Sequence, residues 1–365
     1  MEPVLNEQQS LFRDSAVRLC RTAGGPKRAR ALRNERIEWD REAWKEIAAS
    51  GWLGAAVPEA AGGLGSGLFE LSIAMEEAGK NLLAVPLVEA AAAVWAIGRS
   101  GADAKWLQSI MEGTRIVLPA LSQEGWSGAV EQGLVLDANN RINGAVRFVP
   151  YAPAAQEFLV LAHAGAEPVL GVLPRDAVRL ATVRNVDGST SSELSCEGAR
   201  MATVLARGET ASRLAARIEE FLVLGASAQL VGVASAALDM TLEYIKVRQQ
   251  FGKPLGSFQA LQHRCADRFV DIELNRSLLY RVASAWDAEQ AHPAMASAAK
   301  ARSGRCALET TRTALQFHGA IGYTDEHDIG LFYKRAIVLG ALYGNESNHT
   351  SRFSRLTVSD PLGEA

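Results

Sequence analysis

The chain lacks the patterns that mark several function classes. Only four of its 365 residues are cysteine, and Cys20, Cys196, Cys265 and Cys306 are widely scattered. They form no paired spacing for zinc or a redox dithiol, so reduced, mostly buried thiols are expected. Six histidines are dispersed, with no spaced carboxylate set beside them, so no metal site is expected. H-E-x-x-H and G-x-S-x-G are both absent. Neither sign of charge dominates: a net charge of -3 gives no basis for a nucleic-acid surface. No apolar run reaches membrane-spanning length, since Pro86 and Glu89 interrupt Leu82 to Ile97. The opening MEPVLNEQQS is acidic and polar, unlike a secretory leader. A cytoplasmic protein is the expectation, and there is no internal repeat or low-complexity linker.

What is present is ordinary in bulk and specific in detail. Hydrophobic content of 48% and charged content of 22% suit a globular enzyme, and 365 residues suit two or three domains. From Asn6 to about Arg33, Leu11, Phe12, Ala16, Val17 and Cys20 recur at helical spacing until Gly24-Gly25-Pro26 breaks the pattern. Arg41–Ser50, Leu68–Lys80, Leu87–Gly98 and Ala104–Met111 read as further helices. Leu53–Gly65 is a glycine-rich structured loop in which backbone comes close to something. It follows helical sequence, whereas a P-loop or G-x-G-x-x-G fingerprint follows a strand. From Arg115 the texture changes to short apolar runs at Ile116, Leu134, Ala145, Phe158 and Val169, punctuated by Asn and Gly. That rhythm predicts a small antiparallel β domain ending near Arg207-Gly208. Helices return from Thr210 to about Val338, with loops at Asp287–Pro293, Gly319–Glu326 and Gly340–Ser347. The fold class is therefore α+β: a helical domain over 1–114, a barrel-like β domain over 115–208 and a helical domain over 209–365.

Two stretches carry chemistry. The first, R-Q-Q-F-G-K-P-L-G-S-F-Q-A-L-Q from Arg248 to Gln262, interrupts two helical runs. Gly252, Pro254 and Gly256 cannot all lie inside a helix. Arg248, Lys253, Phe251, Phe258, Gln259 and Gln262 suit a planar anionic ligand with a polar ring edge, or else the turn is an αα-hairpin with its Phe residues in the core. The second, L-Q-F-H-G-A-I-G-Y-T-D-E-H-D-I-G-L-F-Y-K-R from Leu315, ends a helix at Gly319 and Gly322. Backbone there either approaches a ligand or another chain, or simply caps the helix and turns. His318 and His327 in this stretch fit structural roles.

Together these stretches, with G-W-L-G-A-A-V-P-E-A-A-G-G-L-G near the N-terminus, resemble the acyl-CoA dehydrogenase family over essentially the whole chain. The resemblance implies a C-terminal domain of four-helix-bundle type and FAD-dependent α,β-dehydrogenation of an acyl-CoA thioester. The flavin supplies the redox chemistry; the protein aligns the substrate and supplies a base. It implies Arg248 at the FAD pyrophosphate, Phe251 by the adenine or ribitol portion, and Gln259 as a polar contact to the adenosine part. Gln316 with the Gly319-Ala320 backbone would meet the pyrophosphate. It also implies sites shared between subunits of a homo- or heterotetramer built as a dimer of dimers, with electron-transfer flavoprotein as acceptor. T-D-E-H-D-I-G-L-F-Y-K-R-A resembles the subgroup acting on steroid or bile-acid side-chain CoA esters, in which one subunit of a heterotetramer lacks the base.

The sequence departs from the family pattern at the reaction centre. The flavin-facing segment of the β domain reads Leu121-Ser-Gln-Glu-Gly-Trp-Ser-Gly128, leaving Ser122 as a donor. Phe148 stands where a ring stacks on the flavin, and Pro150 offers neither hydroxyl nor N–H. The usual base position is Gly344, and the alternative position on the helix before the turn is near Leu222. Neither abstracts a proton. Glu346 is the leading replacement; Glu219 and Glu220 read as a solvated first helical turn. An active enzyme with a relocated base and a non-catalytic subunit completing FAD sites in a partner are both expectations.

Overall fold

In the computed structural model, which describes residues 5–121 and 133–359, short polar side chains set where several helices begin. Asn6 caps α1 (Glu7–Ala23): its side chain accepts from the Gln9 N–H at 2.8 Å, and Gln9 Oε1 accepts from the Asn6 N–H at 3.1 Å. This reciprocal pair satisfies amides that a helix leaves bare. Gly24 closes α1, and Pro26 opens α2 (Pro26–Asn34), where a missing N–H costs nothing. Asp40 caps α3 (Arg41–Ala49) by accepting from the Glu42 and Ala43 amides, both at 3.2 Å. α4 (Leu68–Lys80), α5 (Leu87–Gly98) and α6 (Ala104–Met111) follow at the limits the sequence predicts. The glycine-rich Leu53–Gly65 stretch folds onto itself through two 3-10 turns, Trp52–Gly54 and Glu59–Ala61.

Eight strands form one sheet: β1 (Val117–Ala120), β2 (Leu134–Leu136), β3 (Ile142–Pro150), β4 (Glu157–Ala164), β5 (Glu167–Pro174), β6 (Arg179–Arg184), β7 (Thr190–Ala199) and β8 (Thr203–Arg207). Their order is β6-β7-β3-β2-β4-β5-β8, with β1 also on β4. The expected all-antiparallel sheet is corrected here. β1 and β2 both run parallel to β4, in the registers Val117↔Glu157 and Leu134↔Ala162. Short apolar runs carry no direction, so only pairing reveals it. β6, β7 and β8 escaped the sequence reading because they are not apolar runs. β7 alternates Thr190, Ser192, Leu194 and Cys196 inward with exposed or half-buried neighbours, a period of two written largely in polar residues.

α7 (Gly208–Val247) is a single helix of 40 residues, beginning where the sheet ends. It is long and apolar enough to cross a membrane, which corrects the expectation of no such run; 94% of its apolar window is buried within the fold. A helix apolar on every face belongs in a core. After it come β9 (Gln249–Gln250), β10 (Lys253–Pro254), α8 (Gln259–Asp287), α9 (Pro293–His318), α10 (Ala320–Tyr323), α11 (Ile329–Ala341) and α12 (Glu346–Ser359). The sequence reading stopped the helices near Val338; α12 is an addition, and Gly340 lies inside α11.

By compactness the chain forms two units. One takes in the chain up to Ala31, Ser72–Leu83 and the described residues from Leu224 on; the other takes in Leu32–Leu71 and Ala84–Val223. In the second, α5 packs on β1. In the first, α4 and α7 cross at backbone distance. A Cβ on Gly232 would lie 2.0 Å from the Glu76 carbonyl oxygen, and one on Gly79 would lie 2.2 Å from that of Gln229. The crossing is locked by charge. Glu76, 3% exposed, accepts from Arg276 Nε at 3.0 Å and from the Tyr280 hydroxyl at 2.9 Å. Arg276 Nη2 also donates to Ser235 Oγ at 2.8 Å. Burial first, then the Glu76 charge, raises the Tyr280 pKa, so the phenol stays a donor.

All four cysteines are free and buried, as expected. Burial pushes Cys20 and Cys306 up to about 12 and Cys196 up to about 11. No cluster of His, Cys, Asp and Glu among the described residues has metal-site geometry. Removing one partner of a buried ion pair strands the other charge, which costs about 3–5 kcal/mol. Arg276→Met is therefore expected to lower unfolding stability by about that amount in urea denaturation, whereas an exposed pair such as Lys45–Glu42 should contribute under about 1 kcal/mol.

Candidate active site

The first motif builds a β-hairpin, not a helical turn. β9 and β10 pair antiparallel, Lys253 opposite Gln250 and Pro254 opposite Gln249. The two residues between them, Phe251 and Gly252, have φ of +54° and +79°. Positive φ at both central residues is what a two-residue hairpin requires. The packed αα-hairpin alternative is excluded, because Phe251 is 88% exposed. It touches Phe258 edge-on, with centroids 6.1 Å apart, and Lys253 Nζ lies 4.3 Å from the Phe258 ring centre. Arg248 is exposed at the end of α7, and Gln259 is exposed as the first residue of α8.

The second motif ends α9 at His318. Gly319 follows with φ +66°, and nothing lies within 4 Å of where its Cβ would be. Gln316 and Ala320 are exposed beside it, and Tyr323 is 76% exposed. The two motifs are joined through Tyr244. Its ring stacks on His318 at 4.3 Å, and its hydroxyl donates to the His318 carbonyl at 3.3 Å. Arg264 of α8 lies 4.9 Å from the centre of the Phe317 ring. His318 Nδ1 donates to the Ala314 carbonyl at 2.8 Å, and burial lowers its pKa, so the imidazole is a neutral structural group.

Arg30, which the sequence reading passed over, clamps the segment after the second motif. It donates to the Asp325 carbonyl at 3.2 Å, to the Glu326 carbonyl at 3.3 Å and to Asp328 Oδ1 at 2.6 Å. In R-A-R-A-L-R nothing local separates this arginine from a solvated helix face.

The base turn lies between α11 and α12. Tyr343 and Gly344 have φ of +58° and +97°. Asn345 caps α12: its side chain accepts from the Asn348 N–H at 3.0 Å, and Asn348 returns the bond at 3.1 Å. Glu346 is thus the first helical residue, placed where a carboxylate favours the helix dipole. It is half exposed, 3.8 Å from Arg305 Nη1. Both line a groove of about 810 Å³ with Tyr333, Gly340 and Thr350. The reading of Glu219 and Glu220 as a first helical turn is corrected. α7 begins at Gly208, and Glu220 is only 7% exposed, 3.5 Å from Arg217. Leu222 is buried. Phe148 sits on β3 in the second unit, inside the register shift between Val146 and Val149, with φ +59° and 55% exposure. Such a bulge turns a side chain out of the strand's alternation. Ser122 lies outside the described residues.

The open backbone at Gly319, the exposed Arg248 and the exposed rings fit a flavin dinucleotide's pyrophosphate and planar groups. The Arg30 clamp generates a separate expectation. Arg30→Ala deletes three charge-assisted bonds, so amide exchange across residues 324–331 should rise by about tenfold or more, with α5 unchanged, measured by mass spectrometry.

Comparison with known proteins identifies the family. The family model described as acyl-CoA dehydrogenase, N-terminal domain, matches residues 6–114, and that described as acyl-CoA dehydrogenase, C-terminal domain, matches residues 224–355. Acyl-CoA dehydrogenase IpdE2 of Mycobacterium tuberculosis is 31% identical over 336 residues, 90% of this chain and 91% of the relative. Acyl-CoA dehydrogenase FadE27 of the same organism is 29% identical over 350 residues, covering 92% and 93%. The solved Tcur3481-Tcur3483 steroid acyl-CoA dehydrogenase, a G363A variant, has a TM-score of 0.87 at 26% identity over 97% of this chain and 98% of its own. PigA, solved with FAD, shares the fold with a TM-score of 0.87 at 23% identity, over 97% of this chain and 98% of its own. The expected family, its helix–sheet–helix order and its cofactor class are borne out. The chain belongs to the acyl-CoA dehydrogenase family, oxidoreductases that act on the CH–CH bond of acyl-CoA thioesters.

Proposed function

We propose that this chain is an FAD-binding subunit of a steroid-type acyl-CoA dehydrogenase and that a second, related subunit supplies the proton-abstracting carboxylate. The observation that carries the reading is the residue at the family's base position: Gly344, with φ +97° and no side chain. Glu346 does not replace it in this reading, because it sits on α12 with Arg305 at 3.8 Å. The Tcur3481-Tcur3483 relative, described as a steroid enzyme of two named components, supports a two-component assembly and a steroid-derived acyl group.

FAD bound here would supply the redox chemistry of the dehydrogenation. Arg248 would hold its pyrophosphate as a cation, and the open Gly319-Ala320 backbone would meet it without a side chain in the way. Phe251 offers a ring face, and Gln259 and Gln316 offer amides; Phe148, on the sheet of the other unit, offers its outturned ring by itself. The exposure of Phe251 and Tyr323 supports completion of each site by another subunit, in a dimer of dimers. Electron-transfer flavoprotein takes the electrons, in the cytoplasm.

A second reading has one observation in its favour: Glu346 lies two residues past Gly344 and is half exposed. Visible spectroscopy separates the two. The chain purified alone is expected not to bleach anaerobically with a steroid side-chain acyl-CoA, whereas the chain co-expressed with a base-carrying homologue is yellow and bleaches. In that complex Glu346→Gln should keep kcat within about threefold, and Arg248→Met should weaken FAD binding by about tenfold or more. A lone chain that bleaches, and stops doing so as Glu346→Gln, makes Glu346 the base and overturns the two-subunit reading.

A further inference from the structure

Lys300 stands in α9 within A-S-A-A-K-A-R-S, 1% exposed. Its Nζ donates to the Gly344 carbonyl at 2.8 Å and to the Gly340 carbonyl at 3.1 Å. These two acceptors mark the ends of the segment that leaves α11 and reaches the base position. An isolated ammonium in a core is strongly disfavoured. Burial alone pushes this one down to about 7, with no carboxylate among the causes. The same turn is held by His349 of α12, fully buried, whose Nε2–H donates to the Tyr343 carbonyl at 2.8 Å. Three carbonyls in five residues are therefore taken by two side chains from two helices. The titratable groups at this corner are Lys300 on α9 and His349 and Arg352 on α12, of which His349 is neutral near pH 7; α11 meets the amine with the Gly340 carbonyl.

We propose that Lys300 is the residue that sets the backbone of residues 340–344, the turn that carries the base in related chains and Gly344 here. A donor that cycles between ammonium and amine near neutral pH polarises its acceptor differently in the two states. The Gly344 carbonyl therefore reports on Lys300 directly.

Gly344-Asn345 is the sole Gly-Asn step in the sequence. Full-length chain labelled with [13C]glycine and [15N]asparagine gives one carbonyl-to-amide cross-peak for it. The Gly344 carbonyl shift is expected to titrate with a midpoint near 7 in the unmodified chain and to stay flat in Lys300→Met. His349, pushed down to about 3, does not titrate in that window. Unfolding stability is a second reading of the same group. Between about 7 and 10.5 the unfolded chain holds a proton that the folded chain has released, so stability rises with pH, and Lys300→Met should flatten the rise. A Gly344 carbonyl that does not titrate, or still titrates in Lys300→Met, overturns the backbone role. If Lys300→Met does not fold, the titration of the unmodified chain decides alone. An assembly inactive with the unmodified chain refutes the dehydrogenase reading and leaves that titration standing.

Discussion

Glu76 meets two demands at once, and the first compact unit is arranged around how it meets them. Its backbone carbonyl lies so close to α7 that only glycine fits at position 232. Its carboxylate is buried and must be matched in place. Arg276 and Tyr280 of α8 match it, and Arg276 extends the network to Ser235 of α7. One side chain therefore fixes α4, α7 and α8 against each other. Apolar packing alone tolerates sliding; a backbone contact with a directed ion pair does not. Both motif turns depend on that rigidity, since the hairpin joins α7 to α8 and Tyr244 of α7 carries the contact to α9.

The two motif turns show what a rigid frame makes affordable at its surface. A two-residue hairpin ordinarily places glycine or asparagine at its centre, and here one of the two is Phe251. A phenylalanine at positive φ and almost fully exposed is costly twice over, in backbone strain and in hydration. The protein folds with both because neighbouring elements over-determine the turn. Observed outliers of this kind point toward a surface that something else covers. The flat ring, the exposed Arg248 and the open Gly319 backbone share the chemistry of a dinucleotide contact.

The base corner shows the reverse arrangement, with function removed and framework kept. Gly344 has no side chain to react, yet its carbonyl is held by a buried lysine and its neighbour's by a buried histidine. Glu346, the nearest carboxylate in sequence, belongs to a helix start and has Arg305 beside it. Sequence proximity to the base position did not translate into the same environment, because two residues of chain separate a turn from a helix.

Local chemistry wrote much of this protein into its sequence. Helical periodicity fixed the helices Leu68–Lys80, Leu87–Gly98 and Ala104–Met111, the last with the Asp103 cap at its start, because those signals act within a few turns of chain. The two motifs, by residue type and order, identified the family. Strand directions in the sheet were not legible, since an apolar run of four residues reads the same in both directions. Nor were β6 and β8, which bury no residue fully, or β7, whose inward positions are largely polar. The Phe251 hairpin was ambiguous until its exposure was known, because the same residues pack in a core or face a ligand. Arg30 and Lys300 look in sequence like solvated helix charges; each acquires its role from carbonyls 295 and 44 residues away. Contacts at such separations exist only once the helices have packed, which is why the sequence determined the family and its elements while tertiary structure alone decided what holds the turns.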